Sequence, residues 1–88
     1  MSAYQNKIIN EMKAKGFTVL KIIRLSASGF PDLQCIKLGE VDHWIECKEK
    51  NDTLKPLQKF RIDELNNLGK KAYCTQSGKG IIYPILDL

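Results

Sequence analysis

The chain has 88 residues, 43% hydrophobic and 27% charged, which leaves room for one core and one site but not for a second domain. Its longest uncharged apolar run, residues 81–86, falls far short of the ~20 residues of a membrane span, and residues 1–15 lack the apolar stretch of a signal peptide. A single domain over residues 1–88, soluble, intracellular and without a membrane partner, is the expectation. Fourteen Lys and Arg against ten Asp and Glu give +4, an excess that suits a polyanion and equally a well-solvated basic protein.

In chain order, residues 4–15 read as a helix, with Tyr4, Ile8, Met12 and, more peripherally, Ile9 on one face and Gly16 as its stop. Residues 17–25 are β-branched and apolar enough for a strand. Residues 26–31 form a loop punctuated by Gly29 and Pro31. Residues 32–38 and 41–48 read as two strands around a turn at Gly39, and residues 49–55 as a polar loop.

Pro56 suits the first turn of a second helix reaching about Leu68 and ended by Gly69. Lys55 is a poor N-cap, so Asp52 or Thr53 is the expected start. A short strand at 71–75, a loop at 76–80 and a last apolar strand or tail at 81–86 complete an α-β-β-β-α-β order with an optional final strand. Cys35, Cys47 and Cys74 are odd in number, without a CxxC, and accompanied by one histidine, His43. This pattern favours small buried thiols over a disulfide framework or a structural zinc site. His43 reads as structural.

Chemistry concentrates in Gly29-Phe30-Pro31-Asp32 and, one hairpin later, Ile45-Glu46-Cys47-Lys48. Period-two alternation puts Trp44, Glu46 and Lys48 on one face and His43, Ile45 and Cys47 on the other. A two-residue turn at Gly39-Glu40 sends Asp32 to the Cys47 face. A three-residue loop, pairing Lys37 with Val41 or Leu38 with Asp42, brings it beside Glu46 and Lys48, and this is the favoured register. Two neighbouring carboxylates repel unless one is protonated or a cation intervenes. Mg²⁺ suits such a pair and can activate water at a phosphodiester, with Lys48 orienting the water or neutralising developing charge. Otherwise Glu46 and Lys48 form only a surface ion pair.

Pro31-Asp32 followed by Glu46-Cys47-Lys48 resembles the PD-(D/E)XK nuclease signature. The fuller string adds Leu33, Ile45, Leu54-Lys55-Pro56-Leu57-Gln58 and Leu68-Gly69, and it resembles the VRR-NUC (virus-type replication–repair nuclease) branch over nearly the whole chain. The resemblance implies a restriction-endonuclease-like α/β fold, an αβββαβ core whose mixed sheet is flanked by two helices. It implies Mg²⁺- or Mn²⁺-dependent endonucleolytic cleavage of duplex or branched DNA in replication, recombination or repair. Metal ligation falls to Asp32, Glu46 and the Cys47 backbone carbonyl, and catalysis to Asp32, Glu46, Lys48 and Gln58. Stand-alone relatives of this size look phage or viral, which implies the cytoplasm of a bacterial or phage-infected cell. Some resemble dimeric Holliday-junction resolvases.

On a helical wheel Gln58 falls between Leu65 and Ile62, inside an apolar arc that also includes Leu57, Phe60 and Leu68. Burying its amide unpaired would cost roughly 1–3 kcal/mol. Its partner is either backbone or, as the resemblance favours, water or Lys48 at the metal edge. Gln5 lies similarly between Met12 and Ile9. Relatives carry an acidic residue about one turn before such a glutamine, yet Met1 and Ser2 stand there, and Glu11 is the only nearby substitute. One metal is therefore favoured over two. Arg24 and Ser28 are candidates for phosphate contact, as are Lys50, Lys55, Lys59 and Arg61. Trp44 is expected to pack beneath the site.

One active site per chain means that two incisions require two chains, so a homodimer is expected, with residues 81–86 either its interface or an edge strand folded on its own core. The rival readings are a non-catalytic basic nucleic-acid-binding module and an interaction protein using its C-terminal hydrophobes.

Overall fold

In the computed structural model, which describes residues 2–85, Ser2 opens α1 (Ala3–Ala14) by accepting the backbone N–H of Gln5 on its side-chain oxygen at 3.0 Å. Ile8, Ile9 and Met12 are buried along one face, Ile9 as deeply as Ile8 rather than peripherally. Lys15 ends the helix, and Gly16 turns the chain at φ +93°, a conformation glycine adopts without steric cost.

Five strands follow: β1 (Thr18–Lys21), β2 (Leu33–Ile36), β3 (His43–Lys48), β4 (Lys71–Gln76) and β5 (Gly80–Tyr83), in the order β1-β2-β3-β4-β5. Neighbours are antiparallel except β3 and β4, which run parallel and are joined through α2 (Pro56–Asn67). A parallel pair needs such a crossover, because a tight turn cannot reverse the chain twice. The α/β mixed sheet flanked by two helices is the architecture the residues and the resemblance imply.

Strand β1 is shorter than the predicted 17–25. It pairs Thr18 with Ile36 through Lys21 with Leu33, and Ile22 N–H then donates to Asp32 C=O at 2.7 Å. The next partner would be Pro31, which has no backbone N–H to extend the ladder. The chain leaves the sheet there, with Ile23 91% exposed.

Alternation along β3 divides the core. Ile45 and Cys47 join Leu33, Cys35 and the buried face of α1, whereas Trp44 joins Leu54, Ile62, Leu65, Ala72 and Cys74 beneath α2. Helix α2 buries a narrower stripe than the wheel predicts. Ile62 and Leu65 are buried, but Leu57, Phe60 and Leu68 are largely exposed. The helix rests on β4 along the line through positions 58, 62 and 65, and those three apolar residues lie roughly 85° to 165° away from it.

The C-terminal segment is an edge strand folded onto its own core: Ile82 and Tyr83 pack beneath α2, while Ile81 and Ile85 are exposed. Leu86, the last residue of the predicted segment, lies outside the described residues. Beyond the end of β5, Asn66 takes over its pairing role, donating to Ala72 C=O at 2.9 Å and accepting Ala72 N–H at 2.8 Å. Among the described residues no helix is long and apolar enough to cross a membrane. Cys35 and Cys74 are buried free thiols, as composition suggests.

Candidate active site

The β2–β3 register decides where Asp32 sits. Leu33 pairs with Ile45, Gln34 with Trp44 and Cys35 with His43, a register that places Asp32 opposite Glu46 and Lys37 opposite Val41. This is the favoured three-residue alignment, with Gly39 at φ +79° and Glu40 N–H closing the turn on Lys37 C=O at 3.1 Å. Asp32 Oδ2 accepts the backbone N–H of Cys47 at 3.0 Å, continuing the ladder through a side chain where Pro31 interrupts the backbone.

Glu46 and Lys48 share the face of Trp44 and are 4% and 5% exposed. Lys48 Nζ lies 3.6 Å from Glu46 Oε2 and 3.6 Å from Asp52 Oδ2. Burial pushes the Glu46 carboxyl up to about 8, and the Asp32 charge and a shared hydrogen bond push the same way, against Lys48. Two carboxylates therefore meet with less positive charge than would keep both ionised. Burial, with Asp32 and Glu46, also drives the Cys47 thiol up to about 12, which removes it as a nucleophile.

The Cys47 carbonyl belongs to the same edge. A strand residue points its N–H and C=O to one side, and Cys47 N–H is directed at Asp32. Lys48 C=O points the other way, to Ser77 N–H at 3.0 Å on the β4 side. Two carboxylates and a carbonyl are an all-oxygen donor set that fits a hard divalent cation, and a dication would relieve the crowding at Glu46.

Gln58 takes the backbone one of its two expected partners. Its Oε1 accepts the backbone N–H of Lys55 at 2.9 Å, and no hydrogen bond joins it to Lys48 or to either carboxylate. Pro56 at the first helical position brings the chain in extended at Lys55, whose own side chain caps nothing. The Gln58 amide reaches back and supplies the cap expected of Asp52 or Thr53.

Helix α1 brings no third acid. Gln5 is half-buried in its first turn without a bond to the carboxylates, and Glu11 is exposed. Among the described residues no three His, Cys, Asp or Glu side chains form a metal cluster. Of the two places where an acid was expected, Ser2 is the N-cap of α1 and Met1 lies outside the described residues.

Arg24 and Ser28 line one shallow concavity within the 22–30 loop. Lys50, Lys55 and Lys59 are exposed, Lys59 Nζ lying 5.8 Å from the Tyr83 ring centre. Arg61 is committed to structure: it donates to Ser28 C=O at 2.9 Å, pairs with Glu64 at 3.2 Å and lies 4.8 Å from the Phe30 ring centre. Trp44 packs against Phe30, ring centres 6.2 Å apart, as the floor beneath Glu46. His43 has a partner that the sequence does not reveal, Tyr73 OH at 2.8 Å.

Two participants escaped sequence reading. Asp52 looked like a helix cap but faces Lys48; its four-residue spacing from that lysine was the available signal. Gln76 looked like loop, yet it is 4% exposed and its Nε2 lies 2.8 Å from Glu49 C=O, 2.7 Å from Asp52 C=O and 3.3 Å from Lys50 C=O.

A proline-led aspartate opening one strand and Glu-x-Lys ending the next thus lie together on a mixed sheet between two helices, the restriction-endonuclease-like arrangement. A solved VRR_NUC domain is similar over 81% of this chain and 77% of that one, at 25% identity and a TM-score of 0.70. Hjc, a Holliday junction resolvase from the archaeal hyperthermophile Archaeoglobus fulgidus, is similar in fold over 89% of this chain and 83% of that one, at 16% identity and a TM-score of 0.62. No family model and no curated protein sequence matches the chain.

Proposed function

We propose that this protein is a metal-dependent endodeoxyribonuclease that hydrolyses phosphodiester bonds in branched or duplex DNA during replication, recombination or repair. The observation that carries the reading is the convergence of Asp32 and Glu46 from adjacent strands with the Lys48 ammonium 3.6 Å from Glu46. Asp32, Glu46 and the Cys47 carbonyl would hold Mg²⁺ or Mn²⁺, which supplies Lewis acidity and a more acidic bound water. Lys48, fixed by burial, presents positive charge where the phosphorane develops negative charge. Lys50, Lys55, Lys59 and Arg24 supply exposed cations for the DNA backbone. Gln58 enters as a helix cap that shapes the flank. The similarity to a Holliday junction resolvase supports a branched substrate.

Two incisions would need two chains, so the working unit of this reading is a homodimer acting in the cytoplasm of a bacterial or phage-infected cell. Supercoiled plasmid and a four-way junction, incubated with Mg²⁺, Mn²⁺ or EDTA, test the reading. Nicking that requires metal and disappears in Lys48→Ala and Asp32→Ala is expected. Binding without cleavage under every metal condition would instead make the chain a basic nucleic-acid-binding module.

A further inference from the structure

We propose that Asp52, held in place by Gln76, is a positioning residue for Lys48, retained at a cost in DNA affinity. The inference rests on the nuclease reading above. Lys48 is buried, and its ammonium has two carboxylate partners, Glu46 and Asp52, each at 3.6 Å. A divalent ion held by Glu46 would compete with the ammonium for the same oxygens, and Asp52 would then be the partner that remains.

Asp52 is not a loosely placed surface acid. Its Oδ1 accepts Thr53 N–H at 2.8 Å while Oδ2 faces Lys48, so the carboxylate is fixed from both ends. Its own N–H closes a turn on Glu49 C=O at 3.1 Å. Gln76 gathers the carbonyls of Glu49, Lys50 and Asp52 on one buried amide and sits opposite Lys48 in the β3–β4 register. Strand, turn and carboxylate thus form one closed unit around the lysine.

The competing reading is a turn that merely connects β3 to α2 and carries an exposed ion pair of little worth. The charge separates the two. Asp52 is 55% exposed at its side chain, so on the nuclease reading its anion would oppose an approaching phosphate. An asparagine would keep the Thr53 bond and the turn but lose the charge.

Asp52→Asn is therefore measured for two quantities: affinity for a fluorescent four-way junction in EDTA, and single-turnover cleavage in Mg²⁺. Expected are binding roughly two- to five-fold tighter, from removal of a like charge, and cleavage slower by about 10-fold or more, from a misplaced lysine. Asp52→Glu, which restores the charge, should return affinity to the wild-type value and recover part of the rate. Cleavage at the wild-type rate in Asp52→Asn overturns the inference, as does a parallel loss of binding, cleavage and melting temperature, which is the mark of a merely structural turn. If the wild type and Lys48→Ala both bind without cleaving, the nuclease reading itself has failed.

Discussion

A glutamate buried to 4% exposure beside one carboxylate and one ammonium is under opposing demands, and the sign of the balance can be tested. The Glu46 carboxyl is raised from 4.5 to about 8, so its contribution to stability is full below pH 4.5 and is lost as pH climbs through about 8. Glu46→Gln imitates the protonated form. At pH 8.5 in EDTA it should melt above the wild type, by on the order of 1 kcal/mol, or roughly 4–8 °C in a domain of this size. Adding Mg²⁺ should raise the wild-type melting temperature and leave the variant unmoved, because only a ligand that binds the folded site stabilises it. Differential scanning calorimetry reads both effects. A variant that melts below the wild type in EDTA would show that Lys48 satisfies Glu46 without a metal.

At the scale of elements, the site depends on how the 22–32 loop is tied down. Gly29 sits at φ +86°, and a Cβ there would come within 2.6 Å of Leu57 Cγ on α2. Gly29→Ala should therefore cost roughly 1–3 kcal/mol in urea denaturation through strain and overpacking combined. A wild-type midpoint would mean that the loop does not rest on α2 in solution. On the other face, His43 bonds Tyr73 OH and lies 5.0 Å from the Phe17 ring centre. Burial first, then the charges of Lys71 and Lys15, hold its pKa below the ordinary 6.5. A depressed folded value means that this stability is present above pH 6.5 and is lost as pH falls through the lower folded value. Melting temperature should drop between pH 6.5 and 5 in the wild type, and less in His43→Gln.

For the molecule as a whole, α1 and α2 cover opposite faces of the sheet, and the carboxylates occupy the end where β2 begins and β3 finishes. With net charge +4, binding to DNA should weaken linearly in log–log plots against salt as condensed ions are released. Affinity that persists at high salt would assign recognition to the exposed apolar residues Leu57, Phe60 and Leu68 instead. Sedimentation at micromolar concentration should find two chains together, and a stable monomer would count against paired incision.

Much of this was legible before any coordinates. Alternation alone put Glu46 and Lys48 on one face of β3, because a strand has no other way to arrange successive side chains. Pro31, Gly16 and Gly39 marked breaks through backbone chemistry that does not depend on neighbours. Burial along α2 was not legible: Leu57 and Phe60 are as apolar as Ile62, and only the docking of the helix on β4 determines which face it covers. Gln58 likewise had two possible partners until the path of Lys55 made one of them reachable. Local patterning thus determined the elements, their order and the motif's side of the strand, because those follow from covalent periodicity. The meeting of Asp32 with Glu46, the bracing of Lys48 by Asp52, and the clamp at Gln76 were decided only in three dimensions. Spacing along the chain allowed each of these contacts without fixing it, because turn path and strand pairing are set by tertiary packing.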